Sequence, residues 1–507
     1  PGPHVAPTTW DRPDTTPKRR GTLALAMLIV LFGGASAAAF IGVRQQRMRH
    51  HAEAEAALGQ VDEALAASAP GAVTGTEPTF NVIFEKDSRS PRAALAWLRQ
   101  RAARGLLSGG SDIAFESAIG RAEEVGVPQE QIAFARLASF LFQGDTAGAA
   151  ALLPKWDGPA EGDPWYQLLA GATLERAGDH RAGERYTAAA QKAPDNVLAQ
   201  VMAARWHLLD GDAAAGEELA TTLRGKLPER VEPLALIALA WAQKADRGAP
   251  PPEVGALRER AKELPLPLAA VPHALDALDA LAAHELPKAA EAIDRGLRVA
   301  DGPAVATWLG TLALDTGDEA LARRAALGAL GFSAMYTPAR ALAARVALLG
   351  ERIDEAVKAT EELDAGLPAV AAVRAAAAYE RLDDGGVERA LAAVAADAQK
   401  DPVLAAALLA RDVLAGRAGG QLAKALQLAG TDAPWADLIA MDLALDMGDV
   451  PAAKGLAALW PEGDTRPSRA VRLSRLARAE QALDAADTKS AAALGTGLLE
   501  TPALAAF

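Results

Sequence analysis

A Gly-Asp step recurs along this chain at a nearly constant interval. Gly144-Asp145 is followed by Gly178-Asp179, Gly211-Asp212 and Gly317-Asp318, then by Gly350-Glu351, Gly385-Gly386, Gly419-Gly420 and Gly448-Asp449. The first gaps are 34 and 33 residues, Gly211 to Gly317 is 106, and the later gaps are 33, 35, 34 and 29. A spacing of about 34 residues is enough for two helices and their turns, so the chain is expected to be an array of helix pairs.

Length and composition agree. A chain of 507 residues exceeds the roughly 250–300 residues at which a single core stops growing, and a repeat array escapes that limit because each unit packs on its neighbours. Half of the residues are apolar but only 5% are aromatic, so Ala and Leu dominate. That favours closely packed helices over sheets. The absence of cysteine excludes disulfides, thiolate metal sites and a cysteine nucleophile. Residues 1–49 carry a balance of +5, and the rest of the chain, at −18, brings the total to −13. So acidic a surface argues against nucleic acid as a partner.

Gly21 to Val43 is a run of 23 residues without a charge, flanked by Lys18-Arg19-Arg20 and by Arg44, Arg47 and Arg49. It is long enough for a bilayer core of about 30 Å. The expectation is an uncleaved transmembrane helix over 21–43, preceded by a flexible Pro/Thr-rich arm over 1–20. The alternative is a signal peptide cut after Ala35-Ser36-Ala37 or Ala37-Ala38-Ala39. A helical stalk is expected over 44–69, with Ala54, Leu58, Val61 and Leu65 forming an apolar stripe that offers weak support for pairing with a second copy. Residues 70–90 read as a linker carrying a strand-like patch, Phe80 to Phe84, that docks on the first repeat.

From Pro91 on, about twelve helix pairs are expected, at 91–125, 128–155, 163–192, 196–226, 230–263, 267–300, 303–331, 336–364, 368–398, 402–428, 434–459 and 467–500, with a tail at 501–507. Gly248 to Pro252 is expected to be a loop, since no helix passes a proline triplet, and Trp156 to Pro164 a shorter irregular connection. Small residues stand late in the first helix, at Gly171 and Gly310. Others stand early in the second, at Ala149, Gly183, Gly216, Ala322, Ala356, Ala390 and Ala453. With Trp308-Leu309-Gly310, with Gly350 to Ala356 (GERIDEA), and with Pro194, Pro228, Pro368 and Pro402 at helix ends, residues 91–500 resemble the tetratricopeptide repeat family. The resemblance implies an all-α, right-handed superhelical solenoid whose first helices line a concave, protein-binding surface.

Residues at the ends of those first helices are what the resemblance offers as a peptide-binding groove: Glu175, Arg176, Arg205, Arg345, Tyr379, Asp383, Asp442 and Asp446. Asn81 and Asn196, the only asparagines, lie off that surface, so the family's Asn/Lys clamp for terminal carboxylates is not expected. The scarcity of cations in the later repeats favours a basic or mixed peptide there. No phosphate loop, nucleophile elbow or His-Glu-x-x-His motif occurs. His50 and His51 are adjacent, so their side chains point apart on a helix, and His180, His207, His273 and His284 stand singly. No enzyme, cofactor or metal is therefore expected.

The leading expectation is a non-catalytic scaffold anchored in a bacterial inner membrane by residues 21–43, its solenoid in the periplasm, binding protein or peptide partners. The Ala-heavy, Asn-poor composition resembles proteins of high-GC bacteria. The alternative is the sensor or interaction tail of a larger signalling protein, similar in order to certain bacterial Ser/Thr kinases, with its enzyme N-terminal to Pro1.

Overall fold

The computed structural model describes residues 19–109, 113–244, 247–283, 285–350, 352–381, 383–394 and short later pieces, chiefly 447–458, and gives only the helical course of 19–39. Every element among them is a helix or a 3-10 turn. The arm expected over 1–20 lies outside the described residues as far as 18, and 19–20 already belong to a helix; the pair at 467–500 and the tail lie outside the described residues, as does most of the pair at 402–428.

A long helix, α1 (Arg19–Ala67), leads into α2 (Pro70–Gly75) and α3 (Glu77–Lys86). Residues 70–90 are thus two short helices, not a linker with a strand-like patch. Pro70 and Pro78 sit in the first turns of α2 and α3, where a missing N–H costs nothing and the fixed φ favours helix entry. Val73, Phe80 and Ile83 are buried, and Phe80 and Phe84 meet Trp97 with ring centroids 6.4 and 5.4 Å apart. The stripe of Ala54, Leu58, Val61 and Leu65 is buried within the chain, and α1 packs on α2, α3 and the following helix. It is therefore already covered and does not present a free coiled-coil seam.

Nine helix pairs follow among the described residues: α4 (Pro91–Ser108) with α5 (Ile113–Glu124), α6 (Ala133–Phe142) with α7 (Thr146–Trp156), α8 (Pro164–Ala177) with α9 (Ala182–Lys192), α10 (Val197–Asp210) with α11 (Ala213–Lys226), and α12 (Val231–Ala242) with α13 (Pro252–Arg260). Then come α14 (Val271–Ala282) with α15 (Leu286–Arg298), α16 (Pro303–Thr316) with α17 (Glu319–Phe332), α18 (Thr337–Leu349) with α19 (Ile353–Thr360), and α20 (Pro368–Glu380) with α21 (Asp384–Ala392). A further helix, α22 (Val450–Ala458), lies in the expected pair at 434–459. The loop before Pro252 and the connection between Trp156 and Pro164 stand where the prolines placed them.

The Gly-Asp step has a direct structural meaning. Gly144, Gly178, Gly317 and Gly448 adopt left-handed φ values between 67° and 81°, which glycine reaches without steric cost. At the second position, Asp145, Asp212, Asp318 and Asp449 accept backbone N–H groups at the starts of the next helices, at 2.7 to 3.1 Å. One dipeptide thus ends a helix and caps its successor.

Small residues set how closely the helices approach. A Cβ on Gly171 would lie 2.7 Å from the Tyr186 ring, and one on Gly310 would strike Leu342. Ala149, Ala322, Ala356 and Ala453 are wholly buried. Two large apolar clusters meet at α10, which gives Leu198, Met202 and Trp206 to one and Val197, Val201 and Leu208 to the other. A helix apolar on all sides is one buried on all sides.

Most helices pack on their partner and on the next pair, but some contacts skip. α16 touches both α8 and α10, the end of α1 touches α10, and α4 touches the turn at Leu266–Leu268. Helices up to four pairs apart therefore meet. Among the described residues no helix is long and apolar enough to cross a membrane, and most of the 21–43 stretch lies outside the described side chains.

Ala356 packs with Ala344, Ala347 and Val373. Ala356→Leu is expected to destabilise by about 1–3 kcal/mol through overpacking, read as a lower urea midpoint at unchanged slope. An unchanged midpoint would refute the small-residue register.

Candidate protein-binding surface

Two of the residues expected on an open groove are brought together inside the protein. Glu175, on the last turn of α8, and Arg205, in α10, form an ion pair with 6% and 2% of their side chains exposed. Arg205 Nη1 also donates to both oxygens of Asp301, at 2.7 and 3.0 Å, and to the Pro267 carbonyl at 3.2 Å. Tyr186 donates its hydroxyl to Glu175 Oε2 at 2.6 Å. Asp301 lies between α15 and α16 and Pro267 between α13 and α14, so four separate stretches of the chain converge on one guanidinium. A buried charge is tolerated only when it is paired and hydrogen-bonded. Burial opposes the charge on Arg205, but Asp301 and Glu175 outweigh it and raise its pKa above the ordinary value. Burial and the Glu175 carboxylate push the Tyr186 hydroxyl well up, so it stays a donor. These side chains are committed to one another inside the protein.

A second seam joins the same regions. Tyr336 donates its hydroxyl to Asp210 at 3.0 Å, and the Ser333 hydroxyl donates to the Ala177 carbonyl at 2.6 Å. Gly178 sits under Tyr336, whose Cβ would be 2.9 Å from an added Cβ. Burial, with Glu175 nearby, pushes the Asp210 carboxyl up to about 6 against the opposing effect of the Tyr336 hydrogen bond and His180.

The other expected residues are dispersed. Arg176 donates to the Leu141 carbonyl at 2.9 Å and is half-buried. Arg345 is half-buried, Tyr379 is buried, and both are engaged in contacts. Asp383 is exposed and accepts the Gly386 N–H at 2.9 Å as the cap of α21. Asp442 and Asp446 lie outside the described residues.

Asp383 also borders a cavity of about 350 Å³ lined from α19, α20 and α21. Its cations are Arg374 on α20, Arg381 at the C-terminal end of that helix and Arg389 on α21, and its apolar part includes Ala377, Ala378 and Ala390. Arg374 donates to the carbonyls of Thr360 and Leu363, Arg381 pairs with Asp354, and Arg389 pairs with Asp383 at 3.2 Å. The sequence reading, which took the later repeats as poor in cations, missed these three arginines. Their signal was the seven-residue step from Arg374 to Arg381, which keeps both on one side of a helix.

Of the histidines, His51 lies 3.4 Å from Asp87 on the surface, and among the described residues no group of three or more His, Asp or Glu side chains is arranged to hold a metal. No protein family matches the chain, and no curated protein matches it.

Two substitutions test the interior. Arg205→Ala leaves two buried carboxylates without their cation and is expected to cost about 3–5 kcal/mol in equilibrium unfolding. A loss under about 1 kcal/mol would show the cluster to be solvated. Asp210 holds its proton more tightly folded than unfolded, so its contribution is present at acid pH and is lost as pH rises from about 4 to about 6. Asp210→Asn keeps the acceptor for Tyr336 without the charge. The variant is expected to gain up to about 3 kcal/mol over the parent at pH 7 and little at pH 4; equal differences at both would refute the shift.

Proposed function

We propose that this chain is a non-catalytic scaffold, a tetratricopeptide-like right-handed solenoid held at a membrane by one helix and presenting its outer surfaces to protein partners. The course of α1 carries this reading. Its later half packs into the body through Ala54, Leu58, Val61 and Leu65. Its earlier part, about 45 Å at about 1.5 Å per residue, emerges at Arg49, and Phe40, Ile41 and Val43 are 68%, 55% and 50% exposed. Apolar surface left in water costs about 25 cal/mol per Å², and continuity with the uncharged stretch from Gly21 makes a bilayer the cover that fits. Arg44, Arg47 and Arg49 are exposed at the point of emergence, where arginine reaches the headgroups. With Lys18-Arg19-Arg20 inside, the solenoid stands outside the cytoplasm, in the periplasm of a bacterial cell.

The binding role rests on the helix-pair array. Rigid pairs in chain order expose a long surface, and a membrane tether raises the local concentration of what it binds. The inner side of pairs three to seven is taken by Arg205 and its carboxylates, which directs partners to the other faces.

Full-length protein is expected to remain in the membrane pellet after an alkaline wash, and a chain starting at Arg44 to be released. Cross-linking in native membranes is expected to recover the same partners with the full chain in repeated preparations. Release of the full chain by alkali would overturn the anchor, and an absence of cross-linked partners would overturn the scaffold.

A further inference from the structure

We propose that the cavity between α19 and α21 is a docking site for an acidic peptide segment of a partner protein, a reading that rests on the scaffold function above. The lining carries three guanidinium groups against one carboxylate, Asp383, within a chain whose net charge is −13. Arg374 is held by two neutral carbonyls and the Thr360 hydroxyl, so none of these contacts neutralises its charge. Among the described residues Arg381 pairs with Asp354, whose side chain is 97% exposed, a surface pair of little strength. Arg389 reaches Asp383, but that carboxylate also caps α21.

Carboxylates in the ligand therefore find guanidinium donors whose present partners are weak or neutral, and the planar fork suits bidentate capture. The alanines and Val357 add an apolar lining that admits small side chains beside the acid. The volume, about 350 Å³, is at the small end for ligand pockets and suits one or two acidic residues with short neighbours. A basic ligand, the sequence-based expectation for the later repeats, would meet like charge here.

The experiment measures fluorescence anisotropy of a labelled peptide of alternating Ala and Glu against the full chain in detergent, with the matching Ala-Lys peptide as control. Binding is expected for the Glu peptide alone, weakening with salt, and weakened at least about tenfold in Arg381→Gln/Arg389→Gln. Both side chains are substantially exposed, so the thermal unfolding of this variant is expected to match the parent and serves as its folding control. No binding to the parent, equal binding to the variant, or equal binding of the Ala-Lys peptide would overturn the proposal. Cross-linking in native membranes is run in parallel. Partners recovered without peptide binding would reject this pocket and keep the scaffold, whereas neither would reject both.

Discussion

Arg205 is the point at which a linear array becomes a closed body. Helix pairs stacked in order need only local contacts, and local contacts alone would leave the first helices of the pairs lining open solvent. Here one guanidinium ties α8 and α10 to residues 62 and 96 positions further along the chain. Bringing such distant segments together carries an entropic cost that rises slowly with loop length, and a single surface ion pair would not offset it. A charge held by two carboxylates and a carbonyl inside the protein carries a different penalty, since removing any partner strands the others. The cluster therefore specifies how the pairs wrap more than it adds to net stability. The seam of Ser333 and Tyr336 on Ala177 and Asp210 repeats the closure one pair further on.

Closure changes what the repeat can be used for. The sequence resemblance places Glu175 and Arg205 on an open groove, and the structure buries both. In this fold Asp301 and the Pro267 carbonyl take up the donors of Arg205. The interior is thus satisfied by the chain itself, and the proposed docking site lies elsewhere, at the cavity lined from α19, α20 and α21. Asp383 shows the consequence at one residue: expected as a groove contact, it caps α21 and borders the outer cavity.

Local features were legible in the sequence because local physics determines them. The Gly-Asp period located the helix ends, since a left-handed residue and a capping carboxylate act within one turn. Gly171, Gly310 and Ala356 were legible as close approaches because size alone excludes anything larger. The linker expected over 70–90 gives way to two helices because Pro70 and Pro78 open helices there and do not break them. Their apolar spacing, Val73 to Phe80 to Ile83, was helical all along. The burial of Arg205 could not be read in the same way, because an arginine late in a helix looks solvated until partners 62 and 96 residues away are known.

The arginines of the outer cavity and the one in the interior make a physical contrast that bears on where binding is possible. Both sets are cations in an acidic chain, yet Arg205 has its carboxylates buried with it, whereas Arg381 and Arg389 hold theirs at the surface. In water, exchanging one exposed carboxylate for another costs little. Inside the protein the same exchange would expose two uncompensated charges and separate the helices that carry them. The interior cluster is therefore fixed and the outer pairs exchangeable, which is why the proposed docking site is placed at the weaker pairs.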